Sequence, residues 1–120
     1  MKIIITSAGD TLDSEVDLRF GRAARFILYD TEEDSFSVIN NEQSLQSSHG
    51  AGIQTSQNII NSGAEIVISP NCGPNAFRVL STAGVKVFSC KGGKIKDVID
   101  DYKNGKLEEI KGANVGGHWS

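Results

Sequence analysis

The sequence predicts an α/β fold built around a mixed β-sheet, and two patterns carry this prediction. Short runs of apolar and β-branched residues at 2–6, 65–69 and 85–89 are typical of buried strands. Segments with a helical spacing of apolar residues lie before the second run and between the second and the third. Because strands joined through helices run parallel with right-handed crossovers, these three runs are predicted to form the parallel centre of the sheet.

Two further strands are predicted to form a hairpin beside this parallel centre. Residues 25–30 are mostly apolar, and residues 35–40 alternate polar and apolar side chains through Phe36 and Val38. The polar turn at 31–34 is short, as it is in antiparallel hairpins. A hairpin added to parallel strands makes the sheet mixed.

Three helices are expected between and after the later strands. The first spans 51–62 and ends before a glycine, and the second begins near Pro74 and also ends before a glycine. The third spans 95–103, which gives the order βββαβαβα. The chain is predicted to be a single domain of 120 residues, with a Gly-rich tail from about 108 that is flexible.

Composition excludes several classes of protein. The net charge is −3, from 12 basic and 15 acidic residues, and no basic stripe indicates a nucleic-acid partner. No apolar run approaches the ~20 residues that cross a bilayer, so no membrane association is expected. The two cysteines do not form a disulfide scaffold, and the predicted location is the cytoplasm.

The predicted topology brings several chemically useful residues to one edge of the sheet. Ligands favour the carboxyl ends of parallel strands. The turns that follow the three parallel strands emerge there, together with the start of the hairpin and the start of the first helix. The turns are 7–10, 69–73 and 89–90, and the other two segments are Phe20–Arg22 and His49–Gly52.

Histidine and cysteine are the candidate metal ligands at this edge. His49 could coordinate a metal through a neutral imidazole nitrogen or donate a proton to an anion, or it could simply begin a helix at the surface. Cys72 precedes Gly73 at a predicted helix N-terminus, a setting that lowers a thiol pKa, and Cys90 is expected near it across adjacent strands. The alternative is that both cysteines are small buried side chains.

Arginine is the candidate anion-binding residue. Arg22 could clamp a carboxylate, a phosphate or a sulfur-rich anion, and two further arginines at 19 and 25 would make the surroundings positive. Alternatively, Arg22 could pair with one of the acidic residues Asp13, Glu15 and Asp17. No nucleophile with a base and no pair of carboxylates stands out, so the chain is not predicted to be an enzyme.

Motifs along most of the chain resemble the dinitrogenase iron–molybdenum cofactor biosynthesis family, which comprises NifX-like proteins and the carboxyl-terminal domain of NifB. The resemblance runs from Ile3 to about Leu107. Its motifs are Val16-x-x-x-Phe20-Gly21-Arg22, His49-Gly50-Ala51-Gly52, Gly63-Ala64-x-x-Val67-Ile68, Gly73-x-x-Ala76, Gly84-Val85-x-Val87 and Val98-Ile99-x-x-Tyr102-x-x-Gly105.

The resemblance implies a three-layer α/β/α fold of the ribonuclease-H-like type, with a five-stranded mixed sheet in the order 3-2-1-4-5 and strand 2 antiparallel. It also implies a non-catalytic protein that binds or carries an iron–sulfur or molybdenum-containing cluster and works with a client or donor protein. Many cluster-handling members resemble His-Phe-Gly-Arg at the first motif, where this chain has Arg19 before Phe20.

The sequence therefore supports two hypotheses for the same edge. The first is a monomeric or weakly dimeric carrier of a transiently bound cluster, and the second is a metal-free module that binds a small anionic metabolite. The predicted ligand-binding residues are Phe20, Gly21, Arg22, His49, Gly50, Gly52, Cys72 and Gly73, and the predicted metal ligands among them are His49 and Cys72.

Overall fold

A computed structural model describes residues 1–20, 23, 25–41 and 51–110, with the backbone alone at 51–53. These residues form one sheet in the order β3-β2-β1-β4-β5-β6. The strands are β1 (Lys2–Ser7), β2 (Arg25–Asp30), β3 (Ser35–Asn40), β4 (Ile66–Ile68), β5 (Lys86–Ser89) and β6 (Glu108–Ile110). The helices are α1 (Ala51–Asn61), α2 (Pro74–Thr82) and α3 (Ile95–Lys103).

The strand pairing confirms the predicted mixed sheet. β4 is parallel to both β1 and β5, and β2 is antiparallel to β1 and forms a hairpin with β3. The prediction of five strands is wrong, because a sixth strand, β6, pairs antiparallel with β5. Residues 108–110, which the sequence analysis assigned to the tail, form this strand. The free edge of β5 supplies the backbone hydrogen-bonding groups that hold it.

Helices cover both faces of the sheet, and each face has its own apolar core. Alternate side chains of a strand point to opposite faces, so Ile4 packs on one side of β1 while Ile3 and Ile5 pack on the other. The first face is covered by α1 and α2, through residues such as Ile59 and Leu80. The second is covered by α3. We call them the α1–α2 face and the α3 face.

The helices of the described part of the chain are short. None of them is both long and apolar enough to cross a lipid bilayer. The longest, α1, has 11 residues.

Candidate functional site

The carboxyl ends of β1, β4 and β5 meet at one edge of the sheet, as predicted. The parallel registers place Ile5 beside Ile68, and Ile68 beside Phe88. β2 begins at the same edge, because its first residue, Arg25, pairs with Ser7 at the end of β1. We call this edge, with the turns that leave it, the rim.

A loop at residues 8–19 crosses the rim and ties it to the start of α3. The Asp17 amide donates a hydrogen bond to the carbonyl of Thr6 over 3.0 Å. The Val16 amide donates to the Gly93 carbonyl over 2.7 Å, and the Ile95 amide donates to the Ser14 carbonyl over 2.9 Å. These backbone bonds fix the loop against the ends of β1 and β5.

Buried hydroxyl groups connect the ends of β1 and β4 beneath this loop. Thr6 and Ser69 are fully buried, and their hydroxyl oxygens lie 3.4 Å apart. The Thr6 hydroxyl donates to the Asp17 carbonyl over 2.8 Å, and the Ser69 hydroxyl donates to the Asn71 carbonyl over 3.1 Å. Because buried polar groups are costly unless they are bonded, this arrangement holds the rim in one geometry.

The side chain of Asn71 extends the same connection to the surface. Its amide donates to the carbonyl of Leu18 over 2.7 Å, joining the turn after β4 to the crossing loop. The Leu18 side chain is 57% exposed, which makes it an apolar group displayed at the rim. Neither Leu18 nor Asn71 was among the predicted site residues. The available signal was a leucine set between the charged residues Asp17 and Arg19.

The acidic residues near the rim have partners of their own. The Asp17 carboxylate accepts hydrogen bonds from the Arg19 amide over 2.9 Å and from its Nε over 3.3 Å. Lys96 lies 2.9 Å from Asp13 and lowers the pKa of that carboxyl. Two of the three acids offered as partners of Arg22 are therefore paired with other cations. Arg22 itself lies outside the described residues.

Phe20, which precedes Gly21 and Arg22 in the first family motif, has a buried ring. The side chain is only 4% exposed, and its ring centroid lies 6.1 Å from that of Phe26 in the core of the α1–α2 face. A contact between this position and a ligand would therefore involve the backbone. Gly21, which follows it, lies outside the described residues.

A buried asparagine links the segment after Phe20 to α1. Asn41 is 1% exposed, and its amide nitrogen donates to the Ala23 carbonyl over 2.7 Å. Its amide oxygen accepts a hydrogen bond of 3.2 Å from the hydroxyl of Thr55, which is fully buried in α1. Neither residue of this pair was among the predicted site residues. Thr55 precedes the core residue Ile59 by four positions, and that helical spacing was the signal of its burial.

Cys72 is placed at the rim, but its chemistry differs from the prediction. The side chain is fully buried, and burial raises the pKa of its thiol to about 12. The expected lowering by the α2 N-terminus is wrong, because burial disfavours the charged thiolate. The buried alternative for this cysteine is the one that the structure supports.

Cys90 does not lie beside Cys72, contrary to the prediction. Cys72 packs in the core of the α1–α2 face and Cys90 in that of the α3 face, so the sheet separates the two thiols. Burial also raises the pKa of Cys90. Cys90 lines a cavity of about 290 Å³ next to the end of β5, together with Ser89, Lys91, Gly92, Lys106 and Glu108.

The glycines of the predicted site are only partly described. Gly73 is the N-cap of α2, has φ −64°, makes no side-chain cap, and has open space where a Cβ would stand. Gly52 lies in the first turn of α1. His49 and Gly50 lie outside the described residues. In the described part of the chain, no three histidine, cysteine, aspartate or glutamate side chains cluster as metal ligands.

Comparison with known proteins shows which family the chain belongs to. The family model described as dinitrogenase iron-molybdenum cofactor matches residues 1–105, a span that includes every rim segment. The chain belongs to this family. The predicted resemblance is thereby confirmed.

Solved structures and a curated sequence are also similar to this family member. The apo form of the orange protein from Desulfovibrio gigas is 35% identical, with 92% of this chain and 93% of that chain covered and a TM-score of 0.90. A NifB-like protein from Thermotoga is 41% identical, with coverage of 90% and 91% and a TM-score of 0.79. An uncharacterised protein of Methanocaldococcus jannaschii is 28% identical over 97 residues, which are 77% of this chain and 80% of the relative.

Proposed function

We propose that the chain is a non-catalytic protein that binds an iron–sulfur or molybdenum-containing cluster at the rim and carries it during metallocofactor assembly. The observation that carries this proposal is the family match, which spans all the rim segments. The similarity to the orange protein over nearly the full length of both chains supports it. In this proposal the cluster is cargo, which the protein receives from a donor and releases to a client protein in the cytoplasm.

The chemistry of the rim suits cargo that must be released. His49 is the proposed imidazole ligand, and Arg22 would offset the negative charge of a cluster. Backbone amides near Gly50, Gly52 and Gly73 would add hydrogen bonds at the helix starts. Cys72 can coordinate only if the turn after β4 opens, because its thiol is fully buried. Because the protein would supply only a few ligands, the cluster could be released to a client protein.

A binding experiment tests this proposal directly. The purified protein is mixed anaerobically with iron–sulfur or thiomolybdate species, and binding is followed by absorption spectroscopy after removal of free cluster. We expect the wild type to retain the chromophore and His49→Ala to lose most of it, because the imidazole is the proposed ligand. His118→Ala removes the other histidine and is the matched control.

A second pair of variants tests the contribution of Arg22 to cluster binding. Arg22→Ala is expected to weaken retention of the chromophore, whereas Arg78→Ala, at an exposed position on α2, is expected to leave it unchanged. Failure of the wild type to bind any of these species would refute the proposal. Equal retention by wild type, His49→Ala and Arg22→Ala would refute the assigned site.

A metal-free anion-binding module is the second candidate. The observation that favours it is the start of α2, where Gly73 leaves the first turn without a side-chain cap, close to the buried Cys72. Such helix starts bind anions through amide groups. Phosphate or sulfate would then raise the melting temperature of the wild type, and Arg22→Ala would abolish that rise. Cluster binding without such an effect would exclude this candidate.

A further inference from the structure

The outer edge of β3 lacks the features that keep edge strands from pairing. All six residues of β3 are uncharged, and neither the strand nor the turn before it contains proline. The six residue pairs with β2 are consecutive, so no bulge bends the strand away. No strand of the described residues pairs with the outer side of β3. Natural edges of this length are usually protected by charge, proline or a bulge.

Two apolar side chains are exposed on the α3 face of this edge strand. Phe36 is 42% exposed and Val38 is 39% exposed. They pair across the hairpin with Tyr29 and Ile27, which belong to the core of the α3 face. That core therefore ends in an uncovered apolar row on β3.

We propose that β3 pairs with β3 of a second copy of this chain, antiparallel and about a twofold axis at Ser37. Residues directly opposite each other in an antiparallel pair lie on the same face of the sheet. An axis at Ser37 therefore sets Phe36 opposite Val38 of the second copy, and Val38 opposite Phe36 of the second copy. An axis at Val38 would instead set Phe36 opposite the polar Asn40. Of these two registers, only the first sets both apolar side chains opposite apolar partners.

The charge distribution favours a second copy in this orientation. The turn before β3 carries Glu32, Glu33 and Asp34, and β3 itself carries no charge. Antiparallel pairing places the acidic turns of the two copies at opposite ends of the interface, so they do not repel each other. Parallel pairing would set them side by side. Like charges in such positions are destabilising.

The proposed dimer is weak and leaves both rims open. Pairing through one six-residue edge covers less than the ~1,200 Å² of a stable interface, so association depends on concentration. The twofold axis reverses the strand direction, which places the two rims at opposite edges of a continuous sheet. The contact between the two copies is therefore independent of what the rim binds.

Sedimentation and light scattering across a wide concentration range test the dimer. Between about 10 μM and about 1 mM, we expect the average mass of the wild type to rise from 12.9 kDa toward twice that value. Ser37→Lys and Ser37→Glu should each remain monomeric, because each sets like charges opposite each other at the axis. An equimolar mixture of the two variants should regain the dimer through opposite charges.

Controls separate this interface from other surfaces. Ser37 is exposed, so both variants are expected to keep the wild-type melting temperature. Leu18→Lys alters an exposed apolar residue at the rim and should associate like the wild type. The proposal is overturned if the wild type stays monomeric at about 1 mM, even if the edge captures another protein. It is also overturned if the single variants dimerise or their mixture does not.

Discussion

Single buried polar residues hold the candidate site together. Asn41 bonds both to the segment after Phe20 and to Thr55 in α1, and Thr6 bonds to the loop that crosses the rim. None of these residues is a predicted ligand. They fix Ala23, α1 and the crossing loop, which adjoin in sequence the segments that carry the predicted ligands, and polar groups behind a binding site usually have this role.

The Asn41 contacts predict a measurable loss of stability. Asn41→Leu keeps a similar volume but leaves the Ala23 carbonyl and the Thr55 hydroxyl without their partner in the interior. We expect the free energy of unfolding to fall by about 2–3 kcal/mol in urea denaturation. Asn61→Leu, at an exposed position in the last turn of α1, is the control and should change it by less than about 0.5 kcal/mol. Equal effects of the two substitutions would contradict this role for Asn41.

The buried thiol of Cys72 predicts a pH dependence of stability. Below pH 9 the thiol is protonated in both states, whereas at higher pH it ionises in the unfolded chain first, because burial raises the pKa in the folded protein to about 12. Stability is therefore lost as the pH rises from 9. Urea denaturation should show the wild type losing up to about 1.4 kcal/mol per pH unit relative to Cys72→Ala.

A substitution without a titrating group serves as the control for this pH series. Val85→Ala alters the same core cluster, so its difference in stability from the wild type should stay constant across the series. If the wild type and Cys72→Ala keep a constant difference in stability between pH 8 and pH 10, the thiol titrates with an ordinary pKa and burial does not raise it.

At the scale of elements, the predicted strands and helices agree well with the structure where local pattern decides them. β2, β3 and α3 have the predicted bounds, because alternation, a short turn and helical spacing are local properties. β6 could not be predicted in the same way. Its three residues show no period, and it becomes a strand only through pairing with β5.

The pairing of β6 predicts that its one apolar side chain contributes to stability. Ile110 is 9% exposed and pairs with Val87 of β5. Ile110→Ala should lower the free energy of unfolding by about 2 kcal/mol through loss of buried apolar contacts, measured by urea denaturation. Glu108→Ala, at the exposed first position of β6, is the matched control and should have little effect. An Ile110→Ala effect no larger than that of Glu108→Ala would show that β6 contributes nothing to the core.

At the scale of the whole molecule, the sheet separates the two cysteines and brings the turns of the candidate site to one edge. It divides the core into two faces and keeps Cys72 apart from Cys90, although both cysteines follow adjacent parallel strands. It also collects the turns after β1, β4 and β5 at the rim. The sheet ends laterally at β3, whose exposed edge is the proposed contact with a second copy.

The sequence by itself determined the order of the elements, the mixed sheet, the edge at which the rim forms and the family. These follow from local periodicity, from the handedness of crossovers and from motifs that are continuous in the chain. The tertiary structure alone decided the sixth strand, the burial of Cys72, the separation of the thiols and the buried bonds of Asn41. The burial and raised pKa of Cys72 and the pairing of β6 depend on neighbours that are distant in sequence, and no local pattern contains them.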